Sequence, residues 1–144
     1  MQFVKKVFII ITTFFLFSCN SQPEPIVVGK DQCSFCKMMV SDAKFGGEIV
    51  TTKNKKYKFD DMHCMLSFLK TKMIEKNEVQ DVYVANFSSN NHQLINIKTA
   101  LLLQSNLLKS PMGGNVAAFE TEPEMNKIKE EYKATVVSWS QLVK

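Results

Sequence analysis

Two cysteines separated by two residues are followed, after one lysine, by two methionines, in the run Cys33-Ser34-Phe35-Cys36-Lys37-Met38-Met39. A thiol pair alone leaves zinc binding, thiol-disulfide exchange and a plain disulfide equally open. Thioethers beside thiolates narrow the choice to soft metals, Cu(I) above all. Met38 and Met39 are therefore the discriminating residues, although methionine also fills irregular gaps in a core. Further donors lie far along the chain, at His63-Cys64 and at Met112, which stands between Pro111 and Gly113. Met112 sits in a turn with no apolar periodicity, so burial is not its obvious purpose and a thioether ligand is the better reading. His63 falls well off the stripe of Met65, Leu69 and Met73 at about 100° per helical residue, which suits either a surface ligand or a solvated side chain. Cys64, near a helix start, is either an activated thiol or a small buried residue, and the second reading is preferred. His92, in a polar loop, reads as solvated.

The fourth cysteine has a different use. Lys5 and Lys6 precede the apolar run 7–17, and Leu16-Phe17-Ser18-Cys19 places a small residue directly before cysteine. This resembles the lipobox of bacterial lipoproteins, in which the cysteine carries the lipid. The run is too short for the roughly 20 residues that span a bilayer. Residues 1–18 then form a signal peptide and residues 19–28 a tether anchored to the membrane through Cys19, with Asn20-Ser21-Gln22-Pro23-Glu24-Pro25 polar and extended. With Cys19 lipidated, Cys33, Cys36 and Cys64 remain, an odd number outside the cytoplasm, so at least one is free, shielded or metal-bound.

The formal charge is +4, or +2 without Lys5 and Lys6, and selects no partner class. All 18 basic residues are lysine, so the planar arginine forks that grip phosphate and base edges are missing. Lys53, Lys55, Lys56 and Lys58 read as a solvated hairpin turn around Asn54. Nucleic acid is not an expected partner.

These donors need elements to hold them. Residues 48–52 and 57–59 read as strands, followed by a helix capped by Asp60 or Asp61 with Met62, Met65, Leu66, Leu69 and Met73 on its apolar stripe and its end at Lys76-Asn77. Residues 79–87 read as the next strand. Later, Gly113-Gly114 leads into a strand, Thr121-x-x-Glu124 with Pro123 forms a capping box, and Thr135-Val136-Val137 closes the pattern. Glycine pairs before a strand occur at Gly46-Gly47 and Gly113-Gly114, a weak sign of duplication. Residues 93–97 and 99–108 are expected to join the second half.

The motifs Cys33-x-x-Cys36-x-Met38-x-Val40, Phe59-Asp60-Asp61-Met62-His63-Cys64-Met65-Leu66 and Ser110-Pro111-Met112-Gly113-Gly114-Asn115-Val116-Ala117-Ala118-Phe119, behind a lipobox, resemble the NosL family across essentially the mature chain. The family commonly has glycine where Lys37 stands. The resemblance implies a lipid-anchored copper-binding protein that accompanies nitrous oxide reductase, with a fold of two β-β-α-β units. It also moves Met38 towards the ligands and leaves Met39 in the core.

The expected architecture is therefore α+β, two packed β-β-α-β units forming one compact domain over residues 29–144, with halves at about 29–90 and 91–144. The expected function is a non-enzymatic Cu(I) chaperone that delivers copper to apo nitrous oxide reductase from a periplasm-facing lipoprotein of the outer membrane. Cys36 would supply the thiolate, Met38 and Met112 the thioethers, and His63 an optional nitrogen, with Cys33 and Cys64 as secondary thiols. Two other classes compete: a thiol-disulfide oxidoreductase using Cys33 and Cys36, and a structural zinc module ligated by Cys33, Cys36, Cys64 and His63. Likeness of fold to organomercurial lyases within the family does not license that activity.

Overall fold

Apolar alternation and two capped helices give two antiparallel sheets that share one core. The computed structural model describes residues 22–144; the signal segment, Cys19 and the first tether residues lie outside them. Strands β1 (Gly47–Thr51), β2 (Lys56–Phe59), β3 (Val79–Ala85) and β4 (Leu94–Asn96) form the first sheet in the order β2-β1-β3-β4. Strands β5 (Leu101–Gln104), β6 (Val116–Phe119) and β7 (Thr135–Val137) form the second in the order β6-β5-β7. Helix α1 (Met62–Lys70) follows β2, α2 (Glu122–Glu131) follows β6, and a short α3 (Trp139–Leu142) ends the chain. Each half is thus β-β-α-β with its first strand central, the expected duplicated α+β architecture. Strand β4 departs from expectation: residues 94–96 pair with β3 in the first sheet, not with the second half.

Helix α1 starts where the sequence changes from the two-residue period of β2 to a helical stripe, and Asp61 caps it by accepting the Cys64 N–H. Met62, Met65 and Phe68 face the first sheet, and the Phe68 ring meets Phe59 edge-on with centroids 5.2 Å apart. Burying each of these large side chains contributes about 2 kcal/mol. The helix stops at Lys70, short of Lys76-Asn77, because Lys72 turns into the left-handed region at φ 53. Lys72 N–H then donates to Leu69 O and Met73 N–H to Phe68 O, a Schellman closure. Met73, assigned to the core stripe, consequently falls past the helix end and is exposed. Helix α2 ends the same way, with Lys133 at φ 46 and Ala134 N–H on Lys129 O. At its start the Thr121 hydroxyl donates to the Glu124 carboxylate (2.8 Å) rather than accepting a backbone N–H.

The second sheet is covered on both faces. Leu102, Val116 and Ala118 join the core under α1, whereas Leu103, Ala117 and Phe119 pack with Met125 of α2. Phe87 N–H donates to Ala118 O (2.8 Å), which stitches the end of β3 to β6.

The lysines of β2 fasten the N-terminal segment. Lys58 Nζ lies 2.8 Å from Asp31 and Lys56 Nζ 3.0 Å from Glu24, while Glu24 N–H donates to the buried Glu48 side chain (3.1 Å). Burial pushes the Glu48 carboxyl above its usual range, and the Glu24 N–H, Lys56 and Lys58 only partly oppose this. A raised folded-state value favours the protonated form in the fold. Its contribution is full below the ordinary glutamate range and is lost as pH rises through the raised value. Glu48→Gln should therefore melt above the parent at pH 7, and the two should converge near pH 4. Thermal unfolding at both pH values checks this, and a lower melting point for the variant at pH 7 contradicts it.

Candidate metal centre

The Cys33 to Cys36 segment is a knuckle closed by backbone bonds. Cys33 N–H donates to Met38 O (2.8 Å), Lys37 N–H donates to Cys33 O (3.0 Å), and an isolated antiparallel bridge joins Gln32 to Met39. Lys37 makes the turn at φ 65, the left-handed conformation that glycine adopts without a Cβ penalty. Its ammonium donates to Ser34 O (2.7 Å), spanning the turn. Ser34 N–H donates to Lys58 O (2.7 Å) and so pins the knuckle to the outer edge of β2.

Cys64 approaches from the first turn of α1. The Sγ atoms of Cys33, Cys36 and Cys64 all lie within 4.8 Å of one another, and all three are free thiols. Cys33 and Cys64 are 0% exposed, whereas Cys36 is half-buried and is the sulfur of the three that solvent reaches. Burial raises the Cys33 thiol, but hydrogen bonds from the Asp60, Cys36 and Phe35 N–H groups and from the Cys36 side chain outweigh it and hold Cys33 below an ordinary thiol. Burial, followed by the charge of Cys33, pushes Cys64 strongly upward. Cys33 is thus easier to deprotonate than Cys64 beside it. The amide of Asp60 is itself held in place, because its buried side chain accepts Ser41 N–H (2.9 Å).

Asp61 joins the two halves at this point. Its Oδ1 accepts Cys64 N–H (3.2 Å), while Oδ2 accepts the Ser110 hydroxyl (2.7 Å), Met112 N–H (3.0 Å) and Gly114 N–H (3.1 Å). The Pro111 turn is thereby seated on the start of α1. A Cβ on Gly114 would stand 2.7 Å from His63 N, so a larger residue would lift the turn away. The Met112 side chain is half-buried against the core cluster that contains Cys33 and Cys64.

The donors read from sequence are thus sorted by position. The three thiols converge, Met112 packs against the core cluster to which Cys33 and Cys64 belong, and Met38 is 55% exposed on the knuckle. Met39, expected in the core, is also exposed, because the bridge to Gln32 holds the strand-like segment at the surface. His63 is exposed and stands outside the 4.8 Å group, so the zinc set assembles its sulfurs without its imidazole. The knuckle runs into an extended bridge, not into the helix that normally carries a redox Cys-x-x-Cys. Sequence reasoning missed the bridging role of Asp61, which it saw only as a candidate cap.

Two like β-β-α-β units with three convergent sulfurs define a small α+β protein whose thiol cluster can hold a metal ion. The NosL family model matches residues 26–144, and the chain belongs to that family. Its fold is similar to that of the copper chaperone NosL from Shewanella denitrificans, with a TM-score of 0.68 and 22% identity over 83% of this chain and 94% of that one. None of the curated proteins matches the chain.

Proposed function

We propose that this protein is a Cu(I) chaperone, lipid-anchored through Cys19 and facing the periplasm, that delivers copper to apo nitrous oxide reductase. The observation that carries the reading is the convergence of three sulfurs of which only Cys36 is near solvent. Soft sulfur donors select Cu(I), and a cluster with one accessible thiol lets a partner's ligand attack the metal without unfolding the site. The proposed ligand set is therefore recentred on Cys33 and Cys36, with Cys64 as the third sulfur and Met112 as the neutral thioether. Met38 and His63, both exposed, stand as surface donors available during exchange. Membership of the NosL family and likeness in fold to a copper chaperone support this assignment.

Anaerobic Cu(I) titration of residues 22–144 against a chromophoric chelator tests it. One tightly bound copper is expected, followed by transfer to the apo reductase on mixing. Zinc retained through copper-free purification and required for folding would instead favour the structural zinc module. Met112→Leu isolates the thioether. A thioether has no proton to lose, so the variant should weaken copper by a roughly constant factor from pH 6 to 8. Leucine preserves volume, and stability should change by under about 1.5 kcal/mol. Full Cu(I) affinity in this variant would remove Met112 from the site.

A further inference from the structure

A second concavity lies away from the sulfurs, between the C-terminal end of α1, β3 and the terminal helix α3. It encloses about 520 Å³, within the roughly 300–1,000 Å³ typical of small-molecule sites. Its apolar surface comes from Leu66, Leu69, Ile74, Val82, Ile97 and Trp139, drawn from both halves of the fold. Its polar margin is asymmetric in charge. Lys98 and Asp81 neutralise each other at 2.9 Å, while Lys70, Lys72 and Lys76 make no ion pair among the described residues, and Glu75 is the one other acidic residue of the lining. The Schellman turn that ends α1 is what places Lys72 at this margin. We propose that this cavity binds a single-chain aliphatic carboxylate, its hydrocarbon tail against Trp139 and its head among the three lysines. A concave apolar interior buries a tail of several methylenes, and an excess of ammonium groups at its mouth selects an anionic head over a neutral or cationic one. This inference is independent of the copper reading, since none of its residues belongs to the sulfur site.

Trp139 is the sole tryptophan of the chain and reports occupancy directly. The test is fluorescence titration of the full chain carrying Cys19→Ser with octanoate, decanoate and dodecanoate below their micelle concentrations. Saturable, one-to-one spectral change is expected, with affinity rising by up to about fourfold per added methylene until the cavity is full. Decanol should bind at least about tenfold more weakly, and decyltrimethylammonium should not compete. The surface variant Lys70→Glu/Lys76→Glu, whose positions are exposed and whose fold circular dichroism would verify, should weaken decanoate at least about tenfold. No saturable change, or equal affinity for all three head groups, overturns the proposal. So does a response only to phosphatidylglycerol vesicles and never to monomeric carboxylate, which would make the surface a membrane contact.

Discussion

Cys33→Ser should weaken Cu(I) binding by at least about 100-fold, and Cys36→Ser by a comparable factor. Loss of an outer-shell partner alone costs a metal site roughly 10–100-fold, and these changes remove sulfur ligands themselves. The sequence reading assigns the thiolate to Cys36. The structure adds a reason for Cys33 to matter at least as much, because three backbone N–H groups favour its charged form. Cys64 differs, since its thiol is buried and held protonated beside the other two. Copper must displace that proton, so the penalty of Cys64→Ser should be modest at pH 6 and grow towards pH 8. Chelator competition at the two pH values measures all three variants. Equal and small losses for Cys33→Ser and Cys36→Ser would dismiss the cluster as the copper site.

Asp61→Ala should destabilise the fold by about 3 kcal/mol or more, the largest stability effect expected outside the apolar core. The side chain is buried and accepts four hydrogen bonds. Its removal leaves the Cys64, Met112 and Gly114 N–H groups without that acceptor in a place water reaches poorly. Asparagine does not rescue it, because one amide nitrogen would face backbone donors where an oxygen now stands. Asp61→Ser separates the two roles. A serine can still cap α1 but is too short to hold the Pro111 turn, so stability should recover in part while Cu(I) affinity stays at the level of Met112→Leu. Urea unfolding and copper competition on both variants read this out. A loss below about 1 kcal/mol for Asp61→Ala would mean that the two halves are joined by something else.

Asp61 also marks the limit of what local sequence can convey. Three of its four donors lie 49 to 53 residues away, so the full bond set becomes visible only when the second unit is docked on the first. The cap itself was legible, because paired aspartates before an apolar stripe have few other uses. The helix end was not. Its left-handed residue is Lys72 where glycine is the usual signal, and a lysine in a polar run carries no local mark of that conformation. The same disguise operates at Lys37 in the knuckle.

The duplication was read correctly from a misleading landmark. Gly46-Gly47 precedes the first strand of its unit and Gly113-Gly114 the second strand of its own, so the pairs are not equivalent. The positions that correspond are Phe59-Asp60-Asp61 and Phe119-Glu120-Thr121, each ending the second strand and opening a helix. That correspondence places Glu124 where the first unit has Cys64, so the three clustered thiols all come from the first unit. Strand β4 was misassigned because a three-residue strand with alternate burial has no intrinsic preference between two sheet edges. The soft donors themselves were legible as residue types. Their grouping required the β2 edge to seat the knuckle and α1 to swing Cys64 under it.

X-ray absorption at the copper edge, on protein loaded anaerobically with one equivalent of Cu(I), tests the central claim most directly. The account predicts Cu(I) with a shell of two or three sulfur scatterers, which Cys33→Ser/Cys36→Ser abolishes. A shell dominated by nitrogen or oxygen, or a sulfur shell unchanged in that double variant, would contradict it.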